Sequence, residues 1–162
     1  PDKSAVAYVE ERQFLGYRLL RGGRLGIAPR SIARAKQRTR AITRRNRGIS
    51  LKRMIRELNA FVSGWVTYFR YAACKTALQR LDAWIRRKLR CVRLKQCKRP
   101  KAIYAFLRRL GVPGWSAREL AGTGAGWWRK ARTPQAHQAM STAWFRDQGL
   151  TSLSVRYAAL QP

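Results

Sequence analysis

The chain has 162 residues, of which 36 are Lys or Arg and 7 are Asp or Glu, so its formal net charge at pH 7 is +29. Self-repulsion at this charge opposes a compact state, and a polyanionic partner such as nucleic acid removes that penalty. The residues are 46% hydrophobic and include six Trp, six Tyr and five Phe, which excludes a disordered basic tail. A chain of this length forms one ordinary domain or two small ones.

The N-terminal segment predicts a β-hairpin that ends before Pro29. Two short extended runs, 14–20 and 25–27, lie on either side of the pair Gly22-Gly23, and glycines at this spacing are typical of a hairpin turn. A lone hairpin is only marginally stable in water, so we expect it to lie on a neighbouring element of this chain or of a partner.

The first two predicted helices follow this hairpin. The first spans about 31–46, with Ser31 as its N-cap, and Gly48 is available for a left-handed turn after it. The second spans about 50–73 and begins at the cap residue Ser50, with apolar residues recurring at three and four positions.

Gly64 lies inside the second predicted helix, where glycine costs about 1 kcal/mol relative to alanine. We therefore expect another helix to cross closely at this point.

The third predicted helix spans about 75–97 and ends before Arg99-Pro100. Its apolar stripe consists of Leu78, Leu81, Ile85, Leu89 and Val92. Three helices joined by short loops predict a small bundle.

A smaller helical extension is predicted after Pro100. Its predicted elements are helices at 101–110 and 116–121, a glycine-rich turn at 122–126, a helix at 134–147 capped by Thr133, and a final element at 152–159. The predicted fold class is therefore mostly α, with a short N-terminal β-hairpin, a three-helix bundle and a C-terminal helical extension. The predicted domains are 1–30, 31–99 and 100–162.

The sequence predicts no catalytic residue in this chain. Its carboxylates form no spaced cluster of the kind that a two-metal site requires, and we expect Glu57 and Asp82 to form ion pairs on helix surfaces. His137 lies within a predicted helix without a recognisable nucleophile, so we expect a structural role. The run Gly-Thr-Gly-Ala-Gly at 122–126 lacks the spacing of a phosphate-binding loop and is interpreted as a turn.

Metal, membrane and secretory functions are not expected either. Cys74, Cys91 and Cys97 are odd in number and lack the spacing of zinc ligands. No run approaches the roughly 18 apolar residues that span a bilayer, and no signal peptide begins the chain. We expect a cytoplasmic protein, in a bacterial cytosol or nucleoid, with no membrane partner and no small-molecule substrate.

Because the first residue is not Met, we expect a processed product or a piece of a longer protein.

The residue pattern favours RNA binding through phosphate contacts. Basic residues cluster on the first and third predicted helices and are interleaved with aromatic residues, which can stack on exposed bases. Trp65, Phe69 and Ile85 fall on apolar stripes and are predicted to be core residues. The predicted RNA-binding residues are Arg34, Arg38, Arg44, Arg45, Arg47, Arg86, Arg87, Arg90, Arg93, Lys98, Arg99 and Lys101. The predicted base-stacking residues are Tyr68, Tyr71, Trp127 and Trp128.

Several strings together resemble one family. They are F-L-G-Y at 14–17, T-R-R-N-R-G-I-S-L at 43–51, G-W-V-T-Y-F-R-Y at 64–71, L-D-A-W-I-R-R-K-L-R at 81–90, K-Q-C-K-R-P-K at 95–101 and A-W-F-R-D-Q-G-L-T-S-L at 143–153. In this order they resemble the maturase-specific region of group II intron-encoded reverse transcriptases.

This resemblance implies a layout and a function. Residues 1–30 would be the end of the palm, 31–99 the three-helix thumb-like X domain, and 100–162 an extension. In that family the region binds intron RNA to assist splicing and holds the RNA–DNA template–primer duplex. The expected partners are therefore one of these nucleic acids and the remaining palm and fingers of a reverse transcriptase.

The sequence departs from that family's complete enzymes in one respect. The Tyr-x-Asp-Asp motif of the polymerase site is absent from this chain, so enzymatic activity stays uncertain and would depend on another segment or chain. We expect no cofactor here, since Mg²⁺ would belong to the parent polymerase. The alternatives are a stand-alone basic RNA-binding protein of ribosomal-protein type and an enzyme whose activity is not recognisable.

Overall fold

The computed structural model describes residues 13–161, with Gln13 described through its backbone alone. Residues 1–12 of the predicted palm segment lie outside the described residues. The prediction of a mostly helical fold is confirmed, since the described residues form a small antiparallel sheet followed along the chain by nine α-helices. The strands are β1 (Gln13–Phe14), β2 (Tyr17–Leu19) and β3 (Leu25–Ile27). The helices are α1 (Pro29–Ile42), α2 (Leu51–Tyr68), α3 (Lys75–Gln96), α4 (Pro100–Arg109), α5 (Gly114–Gly122), α6 (Trp127–Lys130), α7 (Pro134–Ala139), α8 (Thr142–Asp147) and α9 (Leu153–Ala159).

The predicted hairpin is confirmed as the pair β2–β3. Tyr17 lies opposite Ile27 and Leu19 opposite Leu25, and Gly22 and Gly23 have φ angles of +75° and +72° in the turn between the strands. Glycine adopts this conformation without steric cost. The sequence pattern did not indicate β1, which pairs with β2 across a tight turn at Leu15 and Gly16.

The hairpin lies on the C-terminal end of α2, as its marginal intrinsic stability requires. The Tyr17 ring is 5.0 Å from the Phe69 ring, centroid to centroid, and its hydroxyl donates a hydrogen bond to the carbonyl of Tyr68. In return, the Tyr68 hydroxyl donates to the Leu15 carbonyl at 2.8 Å. The neighbour that the sequence analysis called for is therefore in this chain.

The start of α1 differs from the prediction. Pro29 is its first residue and Ala28 its N-cap, so the expected capping role of Ser31 is wrong. The Ser31 hydroxyl instead donates to the Gly16 carbonyl at 3.0 Å. A Cβ at Gly16 would lie 2.7 Å from this hydroxyl oxygen, so the close approach of hairpin and helix requires glycine there.

The helix ends also depart from the predicted limits. The helix α1 ends at Ile42 rather than 46, and α2 ends at Tyr68 rather than 73. The Ser50 cap is confirmed, since its hydroxyl accepts a hydrogen bond from the Arg53 N–H at 3.2 Å. Gly48 has the expected positive φ of +66°. The crossing expected at Gly64 is wrong, because this residue is exposed and a Cβ there would meet no atom within 4 Å.

The core forms where the apolar stripes of α2 and α3 meet. All five predicted stripe residues of α3 are buried, with exposed fractions of 3% or less, and Phe69 of the adjoining turn is also buried. Trp65 was expected in the core but is only half-buried against it. The same cluster of apolar side chains continues into the C-terminal helices through Leu107, Met140 and Leu153.

The C-terminal part follows the predicted start signals but not every predicted length. Thr133 caps α7 by accepting a hydrogen bond from the Ala136 N–H, and Pro134 is its first residue. The single helix predicted over 134–147 is wrong. Met140 leaves the helical conformation, with φ −114° and ψ 66°, and Ser141 caps the new helix α8.

The two carboxylates expected in surface ion pairs have different environments. Glu57 does pair with Arg47 at 2.7 Å and with Arg53 at 3.4 Å. The expectation for Asp82 is wrong, because its side chain is buried and accepts hydrogen bonds from residues at the start of α9. No helix within residues 13–161 is long and apolar enough to cross a bilayer.

Candidate nucleic-acid interface

Basic side chains from α1 and α3 surround the ring of Trp84. The Nζ atom of Lys88 and the guanidinium carbon of Arg40 each lie 5.5 Å from the ring centroid, and the Nζ atom of Lys36 lies 6.0 Å from it. Lys36 and Arg40 are four residues apart on α1, as Trp84 and Lys88 are on α3, so each pair lies on one helix face. A ring in this position attracts the cations through its negative face.

The helix α6 extends this cationic surface with a second tryptophan. The guanidinium of Arg87 lies 3.8 Å from the Trp128 ring centroid and donates to the Trp128 carbonyl at 3.0 Å. Lys88 lies between the two rings, 5.1 Å from that of Trp128. We call this surface the Trp84–Trp128 face; it consists of Lys36, Arg40, Trp84, Arg87, Lys88 and Trp128.

The cations of the Trp84–Trp128 face are close together and partly desolvated. Burial lowers the pKa of Lys88, and the nearby charges of Arg40 and Arg45 lower this pKa further. Burial likewise lowers the pKa of Arg87, with Arg132 adding to the effect. Burial and nearby like charges disfavour the charged form of such a group. An anion placed beside the group stabilises that charged form.

No carboxylate of the described part of the chain contacts the Trp84–Trp128 face. Glu57 pairs with Arg47, Asp82 lies against α9, Glu119 accepts from Gln135, and Asp147 lies 3.7 Å from Arg146. These four are the only carboxylate side chains among residues 13–161, so the positive charge of this face is not compensated from within that segment.

A second basic surface lies where the loop between α1 and α2 meets the end of α3. The side-chain amide of Gln96 donates to the Ile49 carbonyl at 3.0 Å and holds the loop on the helix. Lys98 follows α3 with a φ of +62°, which turns the chain towards α4. Together these segments form a cleft of about 420 Å³. We call it the basic cleft; its basic lining residues are Arg44, Arg45, Arg47, Lys95 and Lys98.

The family of this region follows from its sequence. Residues 32–111 match the family described as group II intron, maturase-specific domain. The chain carries a group II intron maturase-specific domain. This confirms the resemblance, supports a role in group II intron maturation and implies intron RNA as a partner. No curated protein sequence matches the chain.

The maturase-specific domain contains the basic cleft and most of the Trp84–Trp128 face. It spans α1 to α4, and thus includes Trp84 and its three surrounding cations. Trp128 of α6 lies beyond the matched residues. The second tryptophan is therefore contributed by the C-terminal extension, which packs against α3.

The predicted RNA-binding residues fall into several groups. Four of them, Arg44, Arg45, Arg47 and Lys98, come together in the basic cleft. Arg34 and Arg38 line a different hollow, beside Tyr68 and the turn between β1 and β2. Arg99 and Lys101 are exposed at the start of α4, and Arg86 is half-buried on α3.

Several of the predicted residues have partners inside the protein. Arg47 is held by Glu57 and also donates to the Ile42 carbonyl at 2.7 Å. Arg93 is half-buried, with its guanidinium 4.2 Å from the centroid of the Phe106 ring. These contacts fix both side chains in place.

Arg90 does not belong to the nucleic-acid surface. Only 4% of it is exposed, and its Nε atom donates to the Met140 carbonyl at 2.9 Å. Burial, with Arg86 nearby, lowers its pKa to about 10. The prediction placed Arg90 on the polar side of α3, but α7 and the start of α8 cover that part of the helix. We therefore remove Arg90 from the candidate phosphate contacts.

The predicted stacking residues differ in accessibility. Tyr71 is 69% exposed and its hydroxyl accepts from Arg70 at 2.6 Å. Tyr68 is 51% exposed, although its hydroxyl is used to hold the hairpin. Of the tryptophan pair, Trp127 packs against the core and Trp128 remains 38% exposed.

Sequence reasoning missed Lys36, Arg40, Trp84 and Lys88 as members of one surface. The available signal was their spacing of four residues within each helix. That spacing does not determine which faces of α1 and α3 adjoin.

The described residues show no metal-binding group. Within residues 13–161, no three His, Cys, Asp or Glu side chains lie close enough together to hold a metal ion. All three cysteines are free, and burial raises the pKa of the Cys74 thiol to about 11.

Proposed function

We propose that this chain is the RNA-binding thumb and maturase segment of a group II intron-type reverse transcriptase. In this proposal it binds intron RNA, or the RNA–DNA template–primer duplex, through phosphate contacts and so assists splicing and reverse transcription. The observation that carries the proposal is the Trp84–Trp128 face, where partly desolvated cations lie together without a carboxylate partner among the described residues.

The chemistry of this face suits a nucleic-acid backbone. Phosphates placed against Lys36, Arg40 and Lys88 would relieve the repulsion among these cations and release counterions into solution. The Trp128 ring, which remains 38% exposed, provides a surface for a ribose or an unpaired base. Contacts of this kind recognise the shape of a folded RNA more than its base sequence.

The basic cleft would hold a second stretch of the same backbone. Arg44, Arg45 and Lys98 lie together there without a carboxylate among the described lining residues. Arg45 lies within electrostatic range of Lys88, which connects the cleft to the Trp84–Trp128 face. Two basic sites this close together favour a structured RNA over a small anion.

The proposal includes the rest of a reverse transcriptase as a partner. Phe14 of β1 and Leu15 of the turn between β1 and β2 are 77% and 68% exposed, as expected where the palm would continue. Any polymerase activity, with its Mg²⁺, would reside in that other part. We propose the cytosol or nucleoid as the compartment, because intron RNA is found there. The ribosomal-protein alternative gains no support from the maturase-family match.

A pair of double variants tests the proposal. Arg40→Ala with Lys88→Ala removes two cations from the Trp84–Trp128 face, whereas Lys75→Ala with Arg80→Ala removes two exposed cations from the other end of α3. The net charge changes equally in both. With a folded group II intron transcript, we expect the first variant to weaken binding by roughly tenfold or more and the second by about two- to threefold. Equal effects of the two variants would refute a specific role of this face.

A further inference from the structure

Trp115, on α5, is the most exposed tryptophan of the described residues, at 75%. It lies beyond the matched maturase-specific residues and apart from the Trp84–Trp128 face. A tryptophan left in water gives up a large hydrophobic gain that burial would provide. The exposed ring is therefore accessible to a ligand.

The surroundings of Trp115 are mainly basic and aromatic. The carboxylate of α5, Glu119, also lies on this face, four residues after Trp115, and it accepts a hydrogen bond from the Gln135 side chain at 3.0 Å. Arg118 lies one turn further along α5 on the same face, and it lines a groove of about 280 Å³ between α4 and α5. The preceding residue, Gly114, faces the Tyr104 hydroxyl and the Arg108 side chain of α4. The described residues that line the groove are Pro100, Lys101, Tyr104, Arg118, Ala121 and Gly122, and none of them is acidic.

The helices that carry these side chains form a rigid pair. Ile103 and Leu107 of α4 and Leu120 of α5 are almost completely buried. Gly111, with a φ of +82°, turns the chain between the helices. The Arg108 guanidinium donates to the Val112 carbonyl at 2.8 Å and closes that turn. The groove and the helix position that carries Trp115 are thus fixed relative to each other before any ligand binds, which lowers the entropic cost of binding.

We infer that α4 and α5 form a separate binding site for unpaired nucleotides, with a base stacked on Trp115 and the adjoining phosphates held by Arg118 and Lys101. A single aromatic face beside cations is the usual arrangement for single-stranded nucleic acid. Bases inside a duplex are already stacked and do not reach such a ring.

The test measures binding of the full chain to a short fluorescein-labelled oligouridylate, to the matching oligothymidylate, and to a blunt-ended RNA duplex. Trp115→Ala should weaken binding to one or both single strands by roughly five- to a hundredfold, the range expected for one stacked base. Trp115→Phe should retain most of the affinity. Binding of the RNA duplex should change by less than about twofold with either variant. The comparison of uridylate with thymidylate shows whether the site prefers RNA or DNA.

Two further variants make the test specific. Gly122→Glu introduces a carboxylate at the groove, where a Cβ meets no atom within 4 Å, and it should weaken the same probes. Val155→Ala removes another exposed apolar side chain, 69% exposed on α9, and should have no effect. Unchanged melting temperatures would establish that all variants are folded.

The inference is overturned if Trp115→Ala leaves both single strands unaffected, or if it weakens binding of the RNA duplex equally. If Arg40→Ala with Lys88→Ala does not weaken binding of intron RNA, the proposed function fails but this inference is still tested, because it uses different residues and different probes.

Discussion

The Asp82 carboxylate on α3 accepts a hydrogen bond of 2.8 Å from the backbone N–H of Leu153, which is 71 residues further along the chain. Its other oxygen accepts from the Ser154 N–H at 3.0 Å and from the hydroxyls of Ser152 and Ser154 at 2.7 Å each. Asp82 is only 4% exposed. A side chain of the maturase-specific domain therefore satisfies the free N–H groups at the start of the last helix, as a capping residue would.

Replacement of Asp82 by Ala is expected to destabilise the fold by about 2 to 4 kcal/mol. The variant leaves buried N–H and O–H donors of α9 without an acceptor, and each lost bond to a charged group costs about 1.5 to 3 kcal/mol before relaxation. Asp82→Asn should cost less, because one amide oxygen still accepts. The free energy of unfolding in urea measures both.

The control for this prediction is Asp147→Ala. The Asp147 side chain is 69% exposed, so its removal should change stability by less than about 0.5 kcal/mol. If Asp82→Ala is no more destabilising than this control, the cap does not stabilise α9.

The contact between Asp82 and α9 also shows which parts of the fold a sequence can predict. The caps at Ser50 and Thr133 and the stripe of α3 depend on residues within a few positions of one another, and all were predicted. Asp82 was predicted to be a surface residue because it lies in a helix rich in Arg. Its actual partner lies so far along the chain that no local pattern indicates it.

The candidate interface was predictable in chemistry but only partly in geometry. The excess of Arg and Lys on α1 and α3 predicted a basic surface, and the motif order indicated the family that is now confirmed. The convergence of Lys36, Arg40 and Lys88 on Trp84 depends on how the two helices are rotated against each other. Likewise, Arg90 appeared polar and exposed until α7 and α8 were seen to cover it.

Arg90→Ala is expected to lower the free energy of unfolding by about 2 to 4 kcal/mol. The change deletes a buried side chain that donates to the Met140 carbonyl, and that carbonyl is left without its donor. Arg90→Lys should be intermediate, since lysine can donate one bond without the planar geometry of a guanidinium. Thermal or urea unfolding provides the measurement.

Arg99→Ala is the matched control for Arg90, because Arg99 is an exposed arginine and its loss should leave stability within about 0.5 kcal/mol. The interpretation of Arg90 as structural fails if Arg90→Ala unfolds like the wild type but binds RNA much more weakly.

Stability should fall slightly as the pH is lowered from about 7.5 to about 5.5, and His137 should account for this change. Burial lowers the pKa of His137 in the folded chain, and the charges of Arg90, Arg86 and Arg87 lower it further. Below the ordinary histidine pKa, the unfolded chain therefore binds more protons than the folded one. Acid then favours unfolding. The effect is small because His137 is exposed to solvent.

The variant His137→Gln tests this assignment directly. His137 is the single histidine of the sequence, so the variant should have the same melting temperature at both pH values. A wild-type pH dependence that persists in His137→Gln would assign it to another group.

The affinity for folded intron RNA should depend steeply on salt. If six or more phosphates are contacted, binding should weaken by roughly a thousandfold or more between about 50 and 200 mM monovalent salt.

Each phosphate contact contributes about 0.9 to the slope of log affinity against log salt on a duplex. The double variant Arg40→Ala with Lys88→Ala should therefore reduce this slope by about 2, whereas Lys75→Ala with Arg80→Ala should leave it nearly unchanged. Filter binding over a salt series gives both slopes. A flat salt response of the wild type would reject phosphate contacts as the source of affinity, and equal slopes for the two double variants would place those contacts away from the Trp84–Trp128 face.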